Sequence, residues 1–126
     1  MSRDLIDSNL IIYAAQRKHK KLRSYIAEGA PAVSVVSKVE TLGYHKLKTD
    51  EQTFLEAFFD AAVVLPISQT VVREAIRLRQ KRSMSLGDAL IAGTALSSAL
   101  RLATHNTDDF DWIDELEVFD PLEDAA

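Results

Sequence analysis

The sequence predicts an α/β fold in which helices cover both faces of a short, mostly parallel sheet. Three observations carry this expectation. Compact β-branched runs alternate with amphipathic stretches along the whole chain. A serine or threonine followed three residues later by an acid or amide marks several helix starts. The 126 residues, 47% hydrophobic and 27% charged, suffice for one ordinary core, with no internal repeat or long linker. A single domain over residues 1–126 is therefore expected.

Taken in order, Leu5 and Ile6 form a first strand that ends at Asp7. Leu10, Ile11, Ile12 and Ala14 then fall at helical spacing, with Ser8 or Asp7 available as a cap. Residues 17–23, RKHKKLR, hold five basic residues in seven and lead into Tyr25 and Ile26, so a helix with a basic outer face is expected. Residues 32–36, AVSVV, read as the second strand. Ser37 and Glu40 have the capping-box spacing, which predicts a helix from there to about Lys46. Thr49 and Gln52 repeat that device ahead of Phe54, Leu55, Phe58, Phe59 and Ala62, another helical face. Residues 63–65 make a third strand closed near Pro66. Val71, Val72, Ala75, Ile76 and Leu78 mark an amphipathic helix with Arg73, Arg77, Arg79, Lys81 and Arg82 largely outside. Ser85-Leu86-Gly87-Asp88 starts a helix of small residues. Residues 101–104 and 118–119 complete the strands.

The absence of cysteine removes disulfides, zinc-thiolate sites and thiol nucleophiles, and fits a reducing compartment. No run approaches the roughly 18 apolar residues of a membrane span. The opening MSRDLIDSN carries no signal-peptide core, so a cytoplasmic protein is expected. The net charge of −4 conceals an asymmetry. Residues 108–126 carry nine acids and no Lys or Arg, which leaves residues 1–107 with 15 basic and 10 acidic residues. A mildly basic body permits a polyanionic partner.

In open parallel sheets, sites form beyond the carboxyl ends of the strands, where strand order reverses. Asp7 ends the first strand. Glu40 and Asp88 lie in the first turns expected for their helices. Asp108 and Asp109 follow the fourth strand by a few residues. Each acid has an ordinary reading as a helix cap or loop residue. One fold nevertheless predicts that all four regions meet. A carboxylate cluster is costly unless a cation sits in it. With no Cys and three His, the ligands are hard oxygens, which selects Mg²⁺ or Mn²⁺ over zinc. That points to phosphodiester chemistry, with the metal activating a water and offsetting phosphate charge.

Asp7-Ser8-Asn9 before an apolar helix, Glu40 after a β-branched strand, Ser85-Leu86-Gly87-Asp88-Ala89, and Thr104-His105-Asn106-Thr107-Asp108-Asp109-Phe110 together resemble PIN-domain ribonucleases. Within them the resemblance is nearest to VapC-type toxins of bacterial toxin–antitoxin modules, and it covers nearly the whole chain. It implies a three-layer α/β/α fold, Mg²⁺-dependent endoribonuclease activity with Mn²⁺ as substitute, an RNA substrate, a cognate antitoxin that blocks the site, and a homodimer. Carried over by position, Asp7, Glu40 and Asp88 are the metal-binding acids. Some relatives place the fourth acid where this chain has Asn106; others use the acid before Phe, here Asp109, with Asp108 as its rival. Asn106 and Ser8 are polar residues expected to support the acids.

Other features have competing readings. The basic runs 17–23 and 77–82 either track an RNA backbone or are solvated helix faces. His19, His45 and His105 are not at metal-ligand spacing, although His105 lies beside the expected site. Phe110 and Trp112 are expected to close the core behind the acidic loop. Phe54, Phe58 and Phe59 exceed one small core face, so one is expected at a homodimer interface or antitoxin groove. An Asp-nucleophile phosphotransfer domain would want an acid where the chain has Asn9. A phosphoacceptor receiver domain would want its Asp after the third strand, at Leu65-Pro66-Ile67. A non-catalytic PIN-like module binding RNA or protein is the alternative from another class; the retained Asp7, Glu40 and Asp88 argue against it.

Overall fold

The computed structural model describes residues 4–16 and 18–123. Arg17 of the basic run, the first three residues of the opening segment and Asp124 of the acidic tail lie outside the described residues. The elements run β1 (Asp4–Ile6), α1 (Ser8–Ala15), α2 (Lys20–Gly29), β2 (Val33–Ser34), α3 (Val35–Leu42), α4 (Thr49–Ala61), β3 (Val64–Leu65), α5 (Gln69–Lys81), α6 (Leu86–Ser97), β4 (Arg101–Ala103) and β5 (Val118–Phe119). A 3₁₀ turn, Thr107–Asp109, lies between β4 and β5.

Every strand pairing is parallel. Leu5 of β1 lies opposite Leu102 of β4, and Leu102 opposite Val118 of β5. On the other side Val33 of β2 lies opposite Val64 of β3. The two ladders join where Ile6 N donates to Ala32 O at 3.0 Å and Ala32 N to Asp4 O at 2.9 Å. The spatial order is β3-β2-β1-β4-β5, and it reverses between β1 and β4.

Side-chain alternation along the strands divides the core in two. Leu5 and Leu102 point to a cluster with Leu78, Ile91, Ala92 and Phe110. Ile6 and Ala103 point the opposite way, to Leu10, Ile11, Leu22, Leu55 and Phe59. Helices α5 and α6 thus cover one face of the sheet, and α1, α2 and α4 the other. This is the expected three-layer α/β/α arrangement. Burial on both faces explains why the strands read as continuous apolar runs.

Several boundaries differ from expectation, each for a local reason. Helix α3 begins at Val35, because Ser34 Oγ accepts from Val36 N at 3.0 Å. Ser37 is therefore not a cap but a buried residue inside α3, and Glu40 lies in the second turn. The helix ends at Leu42 rather than near Lys46. Helix α4 starts one residue earlier than its motif suggests: Lys48 N donates to Glu51 Oε1 at 3.1 Å. Helix α2 starts at Lys20, so residues 20–23 of the basic run are helical. Phe59 is buried, whereas Phe54 and Phe58 are half-buried. The guanidinium of Arg23 lies 4.3 Å over the Phe54 ring.

Helix α6 shows what small residues do. Ala89, Ala92 and Ala95 are fully buried, the last two packing with Leu5 and Leu102. Gly93 faces α5 instead of the sheet; a Cβ there would stand 2.9 Å from Val71 O. It sets how closely α5 lies on α6.

Candidate active site

The reversal between β1 and β4 opens a crevice at their carboxyl ends, and Asp7 stands in it. Asp7 is the N-cap of α1; its Oδ1 accepts from Ser8 N at 2.8 Å. Its Oδ2 accepts from Thr104 Oγ1 at 2.7 Å, from the residue just beyond β4. The side chain is thus held by the first residue of α1 and by the residue that follows β4. It is also 4% exposed, and burial pushes its carboxyl up to about 6 despite those two bonds. The charges of Asp88 and Glu40 push the same way.

Glu40 is brought in by α3. A hydroxyl carries one proton, so Ser8 Oγ donates to Glu40 Oε1 at 2.7 Å and accepts from Ser37 Oγ at 2.9 Å. The other oxygen, Oε2, lies against the first turn of α6. A Cβ added to Gly87 would stand 2.5 Å from it. Only glycine leaves that space for the carboxylate.

Asp88 occupies the first turn of α6, where Ser85 Oγ accepts from its N–H at 3.1 Å. The helix dipole favours a negative charge there. Burial nevertheless raises its pKa, followed by the charge of Asp109, with Glu40 adding less. The hydroxyl of Ser85 holds part of that rise back. Of the two neighbouring acids on the 3₁₀ turn, Asp109 is the one whose charge acts on Asp88. Trp112 Nε1 donates to Asp109 O at 3.0 Å and ties this turn to the core.

Asp7, Glu40, Asp88 and Asp109 are therefore electrostatic neighbours, although they are spread over 103 positions of sequence. They stand loosely: among the described residues, no group of three His, Asp or Glu side chains has the geometry to hold one ion. The donor set still fits a hard divalent cation. Mg²⁺ takes one or two carboxylates and fills its shell with water and substrate oxygen. The Glu40 carboxylate, seated against Gly87, lies beside Asp88.

Asn106 is exposed, and its N–H donates to Thr104 Oγ1 at 3.1 Å. Its backbone, not its side chain, supports the residue that holds Asp7. Two contributors lie outside the expected site residues: Thr104 as the second anchor of Asp7, and Ser37 as the donor behind Ser8. The run Ser34-x-x-Ser37 held the signal, but its two serines were not distinguishable locally.

Acidic residues near the switch point of an open parallel sheet make this a doubly wound domain with a negatively charged crevice. The profile of the PIN domain family matches residues 5–116, and the chain belongs to that family. Among solved structures, it resembles a chain of a toxin–antitoxin complex from Klebsiella pneumoniae at 26% identity. The TM-score is 0.78, and the match covers 94% of this chain and 97% of that one. VapBC from Salmonella typhimurium, solved bound to DNA, matches at 21% identity and TM-score 0.83, covering 96% of this chain and 99% of that one. VapBC2 from Rickettsia felis, bound to a promoter DNA fragment, matches at 20% identity and TM-score 0.81, covering 93% and 97%. No curated protein matches significantly.

Proposed function

We propose that this chain is a Mg²⁺-dependent endoribonuclease, the VapC-type toxin of a toxin–antitoxin module, acting in the cytoplasm as a single domain. The observation that carries the reading is the mutual electrostatic influence of Asp7, Glu40, Asp88 and Asp109 near the switch point of a PIN fold. PIN domains are generally nucleases. Likeness to chains of toxin–antitoxin complexes supports an antitoxin partner.

When bound, Mg²⁺ or Mn²⁺ supplies Lewis acidity toward water and phosphate. The chain supplies placement. Asp7, fixed by Ser8 N and Thr104, would present a rigid carboxylate to the cation. Asp88 would do so from the start of α6. Glu40, steered by the Ser37–Ser8 pair, would hold the cation or orient a water beside it. Asp109 completes the negative pocket from its 3₁₀ turn. Burial raises the Asp7 carboxyl to about 6, so below that pH a binding cation would displace a proton from it.

A groove of about 550 Å³ between α5 and α6 supports the homodimer. Val72, Ile76 and Leu86 line it at 42%, 52% and 58% exposure, an apolar patch suited to a second copy.

The test is cleavage of RNA by purified protein with Mg²⁺ and with EDTA, followed by analysis of the ends. Cleavage with Mg²⁺ alone, leaving 5′-phosphate and 3′-hydroxyl ends, is expected, and Asp88→Asn abolishes it. Ends bearing 2′,3′-cyclic phosphate would overturn the mechanism, since the RNA 2′-hydroxyl would then be the nucleophile. RNA binding without cleavage would favour the non-catalytic module.

A further inference from the structure

We propose that the ring cluster Tyr13, His19 and His105 is a subsite for an unpaired nucleobase of the RNA, next to the scissile phosphate. The proposal rests on the ribonuclease reading for its ligand class. Tyr13 and His19 are stacked, with ring centroids 5.3 Å apart and planes at 29°. His105 meets Tyr13 edge-on at 5.8 Å. None of the three rings is buried: Tyr13 and His19 are half-buried, and the His105 side chain is 41% exposed.

His105 is nevertheless held firmly. Its Nδ1 is 2.8 Å from Oδ2 of Asp120, a residue only 6% exposed, whose Oδ1 accepts from Leu122 N at 2.9 Å. A buried carboxylate here fixes an imidazole that faces solvent. Core packing does not require that arrangement, whereas a stacking surface does, because its ring must be set before the ligand arrives.

The position is apt. His105 follows Thr104, whose hydroxyl bonds Asp7. Tyr13 lies six residues into the helix that Asp7 caps, about 9 Å along the axis. Lys18 and Lys20, both exposed, flank His19 and suit the adjoining phosphates. Every base has a π-face, so such a platform holds single-stranded RNA without reading its sequence; losing one stacked base weakens binding roughly 5- to 100-fold.

The experiment measures fluorescence anisotropy of a labelled single-stranded RNA in an Asp88→Asn background, where the RNA stays intact. Tyr13→Leu and His19→Leu should each weaken binding about 5- to 100-fold. Tyr13→Phe should restore it. An abasic nucleotide scanned along the RNA should reproduce the loss at one position and cost the Leu variants nothing further there. In the active protein the same variants should raise KM while kcat stays within about two-fold. Equal affinities in folded His19→Leu and its parent, or losses that add fully at every abasic position, would overturn the proposal. So would unchanged RNA affinity with weakened antitoxin binding, which would assign the rings to a protein contact. Absence of Mg²⁺-dependent cleavage in the unmutated protein would instead strike the ribonuclease reading, and the binding series would still decide the subsite.

Discussion

Replacing Gly87 by alanine separates the stability of this protein from its activity. The new Cβ would stand 2.5 Å from Glu40 Oε2 and 3.3 Å from its Cδ. Ordinary contact needs about 3.5–4.0 Å, so the carboxylate must retreat by about 1 Å. Nothing else resists: no glycine in the described residues has positive φ, so alanine fits this backbone. Glu40 is exposed and can swing away. Alanine in place of helical glycine contributes about 0.5–1 kcal/mol, and thus a Tm unchanged or raised by about 2–5 °C. A displacement of about 1 Å at a positioned group costs up to about 100-fold in rate. We expect kcat to fall about 10- to 100-fold, measured by single-turnover RNA cleavage beside a thermal melt. Ser8→Ala removes the other hold on the same carboxylate, the 2.7 Å bond to Oε1. The double variant should lose less than the product of the single losses, since both act through Glu40. A Gly87→Ala protein with higher Tm and undiminished kcat would refute this reasoning.

Three further outcomes follow from the same geometry. Burial pushes Asp7 up to about 6, so between about pH 4 and 6 the folded state keeps a proton that the unfolded chain has released; in EDTA, stability falls as pH rises through that window. Asp7→Asn should therefore melt higher than the parent at pH 7, by on the order of 2 kcal/mol, converge with it near pH 3, and be inactive; identical melts at pH 7 would sink the argument. Thr104→Val keeps the shape but deletes the 2.7 Å bond that favours ionised Asp7. The acid limb of the kcat/KM profile should move up by about 0.5–1 pH unit, and a limb that stays in place would show that Thr104 does not steer Asp7. Ala99 sits at φ 54° beyond α6, where Leu100 N donates to Ala95 O at 2.9 Å. Glycine suits that left-handed position, so Ala99→Gly should gain about 0.5–1 kcal/mol by urea unfolding, with RNA cleavage unchanged.

Much of the fold was legible because the signals are local. Helix spacing in residues 71–78 matches α5, Ser85 caps its helix as its spacing indicates, and Ala92 and Ala95 of α6 face the sheet whereas Gly93 faces α5 and Gly87 the Glu40 carboxylate. Where two residues satisfied one local rule, the reading went astray. Ser34 and Ser37 can each start a helix, and Val35-Val36 suits strand or helix. The choice fell to Ser34 because β2 needs only Val33 and Ser34 to pair with β3, and because Ser37 is wanted beneath Ser8. The same displacement moved Glu40 from an expected helix cap to the second turn of α3.

The sequence by itself determined the alternation of strands and helices, the hard-oxygen character of the acids, and the places of Asp7 and Asp88 at element ends. Those properties depend on residue type and on neighbours a few positions away. The tertiary structure decided what each acid touches. Asp7 meets Thr104 across 97 positions, Glu40 meets Ser8 across 32, and Gly87 makes room for a carboxylate 47 residues away in sequence. Tyr13 and His105 find each other only because β1 and β4 lie side by side. Such contacts follow from the order in which parallel strands assemble, and no window of sequence contains that order.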